Sequence, residues 1–218
     1  MIGAHPDDET LGVGGTMVKH LARGDRVSVL IVTDGVTARH DETKAQQRAA
    51  VEACRILGVS DVRFGGLPDQ RLDHLPLLEV IEPIARVVKD LQPSILYTHH
   101  GGDVNQDHRV VFQASLVAAR PVNRSSVTEL YCYEVASSTD WAPPLDAWQF
   151  NPNHFVDIGP HLRKKIDAAA AYAKTFQTEI PPYPHPRSLR AIDVYANRRG
   201  IQVGMEAAEA FMLLRRLA

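Results

Sequence analysis

Hydrophobic and polar positions in the first two-thirds of the chain alternate between short apolar runs and longer amphipathic stretches. The apolar runs predict strands at residues 1–4, 26–33, 61–64, 95–98 and 129–134. Amphipathic stretches predict helices between them, at residues 10–22, 44–57, 75–91 and 107–120. This alternation predicts an α/β fold with a mostly parallel sheet and helices on both of its faces.

The pattern loosens in the last third of the chain. It predicts a long loop at 137–153, a helix at 160–175, a proline-broken loop at 177–187 and a helix at 189–199. Residues 208–214 fit either a strand or a helix. Because this region is too short for a core of its own, we interpret residues 1–218 as one domain. We expect the last third of the chain, a C-terminal elaboration of the α/β fold, to form one wall of a cleft.

Charge and composition narrow the class of protein. The formal net charge of −2 provides no basic excess for binding nucleic acid. No apolar run reaches the roughly 20 residues of a membrane span, and the first residues lack the pattern of a signal peptide. Cys54 and Cys132 are too far apart in sequence for a thiolate zinc motif, and we expect both to be buried. These features predict a cytoplasmic protein without a nucleic-acid partner or a membrane span.

Two polar segments follow the ends of predicted strands. Residues 5–9 follow the first strand, and residues 99–108 follow the fourth. Open parallel sheets bind ligands beyond the carboxyl ends of their strands, where the strand order reverses. The first and fourth strands are neighbours in the commonest orders that reverse after the third. We therefore expect the two segments to face one crevice.

The side chains of these segments match a catalytic metal site. His5 and His108 offer imidazole nitrogens and Asp8 a carboxylate, which leaves the fourth tetrahedral position for water. Asp7 is then available as a general base towards that water. Asn105 can donate a hydrogen bond to a developing oxyanion.

Each of these features also has a simpler interpretation. An Asp-Asp-Glu sequence at a helix start is often a cap that compensates the helix dipole. Asp107 can likewise cap the fourth predicted helix, and it can also hold an imidazole in its working orientation. Gly12, Gly14 and Gly15 lie inside the first predicted helix, so we expect close packing against the sheet rather than dinucleotide binding.

Three features occur together in the sequence: Ala-His-Pro-Asp-Asp-Glu at residues 4–9, the glycine-rich helix after it, and the Asp-His element within 105–108. With these features the chain resembles the PIG-L / LmbE-like family of zinc-dependent N-deacetylases. The resemblance implies a Rossmann-like fold and removal of acetyl from an N-acetylglucosamine-type amino-sugar conjugate. Carried over by position, it implies that Zn2+ or another divalent ion is held by three ligands: His5, Asp8 and His108. Asp7 would activate the metal-bound water, Asp107 would support the active-site imidazole, and Arg48 would bind substrate.

This chain differs from many members of that family at Asn105, where they have histidine. An amide cannot supply a proton, so protonated Asp7 or His185 is expected to protonate the leaving amine. His185 lies in the proline-broken loop, which can cover its own cleft or reach that of a neighbouring subunit in a trimer or hexamer. We predict that Asp103 and Arg187, together with Arg48, hold sugar hydroxyls or another polar group of the substrate.

Two other classes of protein fit part of this pattern. Two histidines and one carboxylate also describe the iron site of non-haem iron(II) oxygenases, which usually form β-barrels. A non-catalytic sugar- or nucleotide-binding Rossmann-like domain is the other alternative, although it gives Asp7 no reason to lie beside a metal.

Overall fold

The computed structural model describes residues 1–35, 43–122, 125–175 and 179–218. The strands are β1 (Ile2–Gly3), β2 (Ser28–Thr33), β3 (Asp61–Leu67), β4 (Ile95–His99), β5 (Glu129–Tyr133), β6 (His154–Asp157) and β7 (Ala208–Arg216). The helices are α1 (Asp8–Ala22), α2 (Thr43–Leu57), α3 (Leu77–Leu91), α4 (Gln106–Ala118), α5 (Leu162–Thr175) and α6 (Leu189–Ile201). Short 3-10 helices occupy Leu72–His74, Thr139–Trp141 and Gly159–His161.

The strands form two hydrogen-bonded groups that meet at β1 and β4. One group has the order β1-β2-β3 and is parallel throughout; the other has the order β4-β5-β7-β6. β4 and β5 are parallel, whereas β7 runs antiparallel to both β5 and β6. β1 packs against β4, and the Ala4 N–H donates to Nε2 of His99 at 2.9 Å. The predicted α/β fold and the contact between the first and fourth strands are therefore confirmed.

The C-terminal third differs most from the sequence prediction. Residues 208–214, which fitted either element, lie in the strand β7. The strand β6 was not predicted, because its four residues are all half-buried and show no apolar run. Among the strands of the described ranges, β6 pairs with β7 alone, and such an edge strand needs less apolar surface than a central one. The helix α3 starts at Leu77 rather than at residue 75, because Pro76 takes the N-cap position.

Glycines bring α1 into close contact with the sheet, as predicted. A Cβ atom on Gly12 would lie 2.3 Å from the ring of Tyr133, and one on Gly15 would lie 2.7 Å from Ile158. Such separations are far below van der Waals contact, so a larger residue would push the helix away. This packing fixes the first turn of α1 beside the carboxyl ends of β1, β4 and β5. Cys54 and Cys132 are both buried, also as predicted.

None of the helices in the described ranges combines the length and the apolar character that crossing a bilayer requires.

Candidate active site

His5, Asp8 and His108 converge at the edge of the sheet where β1 and β4 end. Ligand atoms of the three buried residues all lie within 4.8 Å of one another. Nδ1 of His5 is 3.7 Å from one Asp8 oxygen, and Nε2 of His108 is 3.4 Å from the other. Bonds of about 2.0–2.2 Å in a tetrahedral zinc site separate neighbouring ligand atoms by roughly 3.3–3.6 Å. The spacing and chemistry of this donor set therefore fit a divalent ion.

The backbone of the tight turn between β1 and α1 sets this geometry. Asp7 has φ 112°, a left-handed conformation that costs about 1–3 kcal/mol in a non-glycine residue. Fully buried Glu9 stabilises the turn, because its carboxylate accepts the Asp7 N–H at 3.1 Å and the hydroxyl of Tyr172 at 2.5 Å. The His5 N–H donates to Asp8 at 2.7 Å. Glu9 thus holds the turn from behind.

Asp7 is buried, and its carboxylate accepts a hydrogen bond from Nη1 of Arg187 at 3.1 Å. Nη1 also lies 3.5 Å from Glu179. Burial raises the pKa of Asp7 well above its usual range, and the Arg187 charge only partly offsets that effect. The structure therefore brings Arg187 to the predicted general base.

The far side of the His5 imidazole faces two carboxylates. Nε2 of His5 lies 3.0 Å from Asp107 and 3.2 Å from Asp69. Asp107 also accepts the backbone N–H groups of Gln70 at 2.8 Å and Leu72 at 3.1 Å. Carboxylates placed in this way orient a liganding imidazole and select its tautomer.

These contacts correct one expectation and add one residue. Asp107 does not cap α4, because Asn105 is the N-cap and its side-chain oxygen accepts the Asp107 N–H at 2.9 Å. Sequence reasoning missed Asp69. The available signal was its position after β3, where the turn leaves the same edge of the sheet as the other two polar segments.

The far side of the His108 imidazole faces Asp103. Nδ1 of His108 lies 3.1 Å from the carboxylate of Asp103, which also accepts hydrogen bonds from the hydroxyls of Ser138 and Thr139. Asp103 is 0% exposed. Predicted as a substrate-binding residue, it lies behind the imidazole, where its oxygens are occupied by protein groups.

The carboxylates of Asp8 and Asp103 together govern the protonation of His108. Burial alone would lower the pKa of His108, but Asp8 and Asp103 raise it to about 10. Burial would raise the pKa of Asp8, yet His108 and His99 hold it well below its usual range. The His108 proton therefore competes with any cation bound at the cluster.

His99 packs beneath the cluster formed by His5, Asp8 and His108. Its ring stacks on His108 with centroids 3.8 Å apart and 13° between the planes. Burial, together with the neighbouring His108, lowers the pKa of His99 to about 4. A neutral His99 accepts the Ala4 N–H at Nε2 and so ties β1 to β4.

Asn105 and His185, the predicted donors to the reacting groups, are both half-buried. Capping of α4 uses the Asn105 oxygen, so the NH2 group is the end that can meet a ligand. Nδ1 of His185 accepts the Arg187 N–H at 3.1 Å, which assigns the ring proton of a neutral imidazole to Nε2. His185 therefore lies two residues from the arginine that contacts Asp7 of the same chain.

Arg48 is not brought to the cluster in the described part of the structure. Its side chain is exposed on α2, whereas Gln46 is buried and lies 3.4 Å from Glu179. Residues two apart on a helix point about 200° away from each other. The face of α2 directed at Glu179 and Arg187 therefore carries Gln46, which sequence reasoning missed.

Comparison with known proteins places this geometry in a family. The family model described as GlcNAc-PI de-N-acetylase (PIG-L) matches residues 1–119. The chain is 31% identical to a 1D-myo-inositol 2-acetamido-2-deoxy-alpha-D-glucopyranoside deacetylase of Geodermatophilus obscurus, over 95% of this chain and 80% of that protein.

Solved structures share the fold at lower sequence identity. The conserved protein TT1542 of Thermus thermophilus superimposes with a TM-score of 0.79 at 22% identity, over 100% of this chain and 94% of that one. GalB, the 4-carboxy-2-hydroxymuconate hydratase of Pseudomonas putida KT2440, superimposes with a TM-score of 0.77 at 20% identity, over 100% and 95%. Proteins with this fold thus catalyse more than one reaction, so the family of this chain is assigned from the family match and not from the fold. By that match, the chain belongs to the PIG-L family of de-N-acetylases.

Proposed function

We propose that this protein is a zinc-dependent N-deacetylase that removes acetyl from an N-acetylglucosamine-type amino-sugar conjugate. One observation carries the proposal. His5, Asp8 and His108 offer a three-ligand set at a strand-order reversal, and the buried carboxylate of Asp7 adjoins it. The deacetylase from Geodermatophilus obscurus supports the substrate class.

Different residues of the chain have different roles in the proposed amide hydrolysis. His5, Asp8 and His108 would hold the ion, which when bound supplies a Lewis acid that polarises the acetyl carbonyl and acidifies water. Asp7 accepts the proton of the attacking water, and its raised pKa suits a carboxyl that must later give that proton back. The amide group of Asn105 donates to the oxygen that gains charge as the carbonyl carbon becomes tetrahedral.

Release of the amine completes the reaction. The C–N bond breaks, acetate leaves, and the amine takes either the proton that Asp7 accepted from the water or a proton from the imidazolium form of His185. Arg187 fixes the Asp7 carboxylate through its hydrogen bond. Asp107 and Asp103 hold the two imidazoles in the tautomers that present Nδ1 of His5 and Nε2 of His108 to the ion.

The proposal is tested by release of acetate from a panel of N-acetylated amino sugars. We expect the zinc-loaded protein to release acetate, the chelator-treated protein to lose this activity, and added zinc to restore it. Acetate release that survives complete metal removal would contradict the metal requirement. No release from any amino sugar, with turnover of an unsaturated acid by addition of water, would favour a hydratase instead. Activity that requires iron(II) and oxygen would favour an oxygenase.

Replacing Asp103 by Asn tests the orienting role of this carboxylate. We expect zinc affinity to fall about 10- to 100-fold, because the imidazole of His108 loses the charge that fixes it. Competition with a chromophoric chelator measures this affinity. Asp146→Asn is the matched control, because Asp146 is exposed on the same long loop as Ser138. Equal zinc affinity in the two variants would show that Asp103 does not orient the ligand.

A further inference from the structure

Trp141 stands exposed beside the cluster, although it is a large aromatic residue. Its side chain is 59% exposed. Trp141 ends a 3-10 turn, and its N–H donates to the carbonyl of Ser138 at 3.3 Å. The hydroxyl of Ser138 lies 3.4 Å from Nδ1 of His108. Since a 3-10 helix rises about 2 Å per residue, the indole lies within one turn of a residue that contacts a predicted metal ligand.

The loop that carries His185 and Arg187 contacts this indole. The ring of His185 meets the indole of Trp141 edge to face, with centroids 6.3 Å apart. The N–H of Arg187 donates to His185, and the Arg187 guanidinium donates to Asp7. A continuous path of contacts therefore runs from the exposed indole to the predicted general base.

We propose that Trp141 and His185 form the subsite that binds the sugar ring of the substrate, an inference that rests on the proposed deacetylase function. A pyranose has a flat face of C–H groups, which bear partial positive charge and pack against the negative face of an indole. The ring of His185 stands against this indole, and the same loop carries Arg187, whose guanidinium contacts Asp7. A sugar stacked on Trp141 therefore lies at the His185 end of the path of contacts that reaches the predicted general base.

Steady-state kinetics of the zinc-loaded enzyme with the methyl glycoside of N-acetylglucosamine test this subsite. We expect Trp141→Ala to raise KM about tenfold and to leave kcat within about twofold, because stacking binds the ground state and the transition state alike. Trp141→Phe should recover most of the loss, because it keeps an aromatic face. Leu145→Ala is the control, since Leu145 lies on the same loop and is 58% exposed. A KM for Trp141→Ala within twofold of the parent would overturn the subsite.

Fluorescence separates this inference from the proposed function. The chain has two tryptophans, so Trp148→Phe leaves Trp141 as the sole indole reporter. We expect the methyl glycoside to change the emission of that variant in a saturable manner. Such a change without acetate release from the parent would overturn the deacetylase function and support the sugar subsite. Acetate release with no emission change and an unaltered KM in Trp141→Ala would support the deacetylase function and overturn the subsite. The absence of both acetate release and an emission change would overturn both proposals.

Discussion

Asp7→Asn is expected to reduce kcat for deacetylation about 10²- to 10⁴-fold while zinc content stays at the parental level. The amide cannot take the proton of the attacking water. The change is otherwise conservative, because asparagine tolerates positive φ and its oxygen can still accept the hydrogen bond from Arg187. Acetate release under single-turnover conditions, with metal content measured on the same sample, checks this result.

The matched control for this variant is Asp25→Asn. Asp25 follows the opposite end of α1, where it pairs with His20 at 2.7 Å and is largely exposed. We expect this control to keep parental activity. Parental activity in Asp7→Asn would exclude the proposed base. Loss of zinc from Asp7→Asn would instead mean that Asp7 is a ligand, and the separation of its role from that of Asp8 would be wrong.

His108→Ala is expected to weaken zinc binding by more than the roughly 10- to 100-fold that loss of an orienting carboxylate costs. The variant removes one of three ligands and leaves the carboxylates of Asp8 and Asp103 facing each other across the vacated volume. A bound ion stabilises the folded state by an amount that grows with the logarithm of its concentration divided by Kd. The parent should therefore show a rise in Tm on addition of zinc, and His108→Ala should show little or none.

The comparison uses the difference in Tm with and without zinc, because His108→Ala also lowers the stability of the metal-free protein. Truncating a buried ring that stacks on His99 removes packing as well as a ligand. His161→Ala is the control, since His161 lies in the 3-10 turn before α5. A zinc-induced rise in Tm as large in His108→Ala as in His161→Ala would remove His108 from the ligand set.

The sequence was most informative where one residue has one physical task. Gly12 and Gly15 signalled close packing, because a Cβ atom at these positions would lie only 2.3 and 2.7 Å from its neighbours. The placement of His5 and His108 followed from a general property of parallel sheets, whose carboxyl ends share one edge. At these positions the local sequence pattern and the tertiary arrangement agree, so the sequence alone was sufficient to predict where the residues lie.

Roles that depend on the direction of a side chain were harder to predict. Asp103 and Asp107 have the composition of ligand-binding or capping residues, and only the three-dimensional arrangement shows that they face the backs of His108 and His5. Asp69 was missed because the pairing of the third strand places it beside the first loop. Arg48 and Gln46 lie on opposite faces of one helix, and the periodicity of α2 alone does not identify which face meets the C-terminal loop.

The position of the metal distinguishes two possible sites, because the His5 imidazole has candidate ligands on both sides. Nδ1 faces Asp8 and His108, whereas Nε2 faces Asp69 and Asp107, whose oxygens also lie within 4.8 Å of one another and of Nε2. The 3.0 Å contact of Nε2 with Asp107 is a hydrogen bond, and one oxygen of Asp69 lies 3.2 Å from the same nitrogen. The measurement is anomalous diffraction at the zinc absorption edge from crystals of the zinc-loaded protein. We expect one peak bonded to Nδ1 of His5, a carboxylate oxygen of Asp8 and Nε2 of His108; a peak between Nε2 of His5, Asp69 and Asp107, or none near His5, would contradict the account.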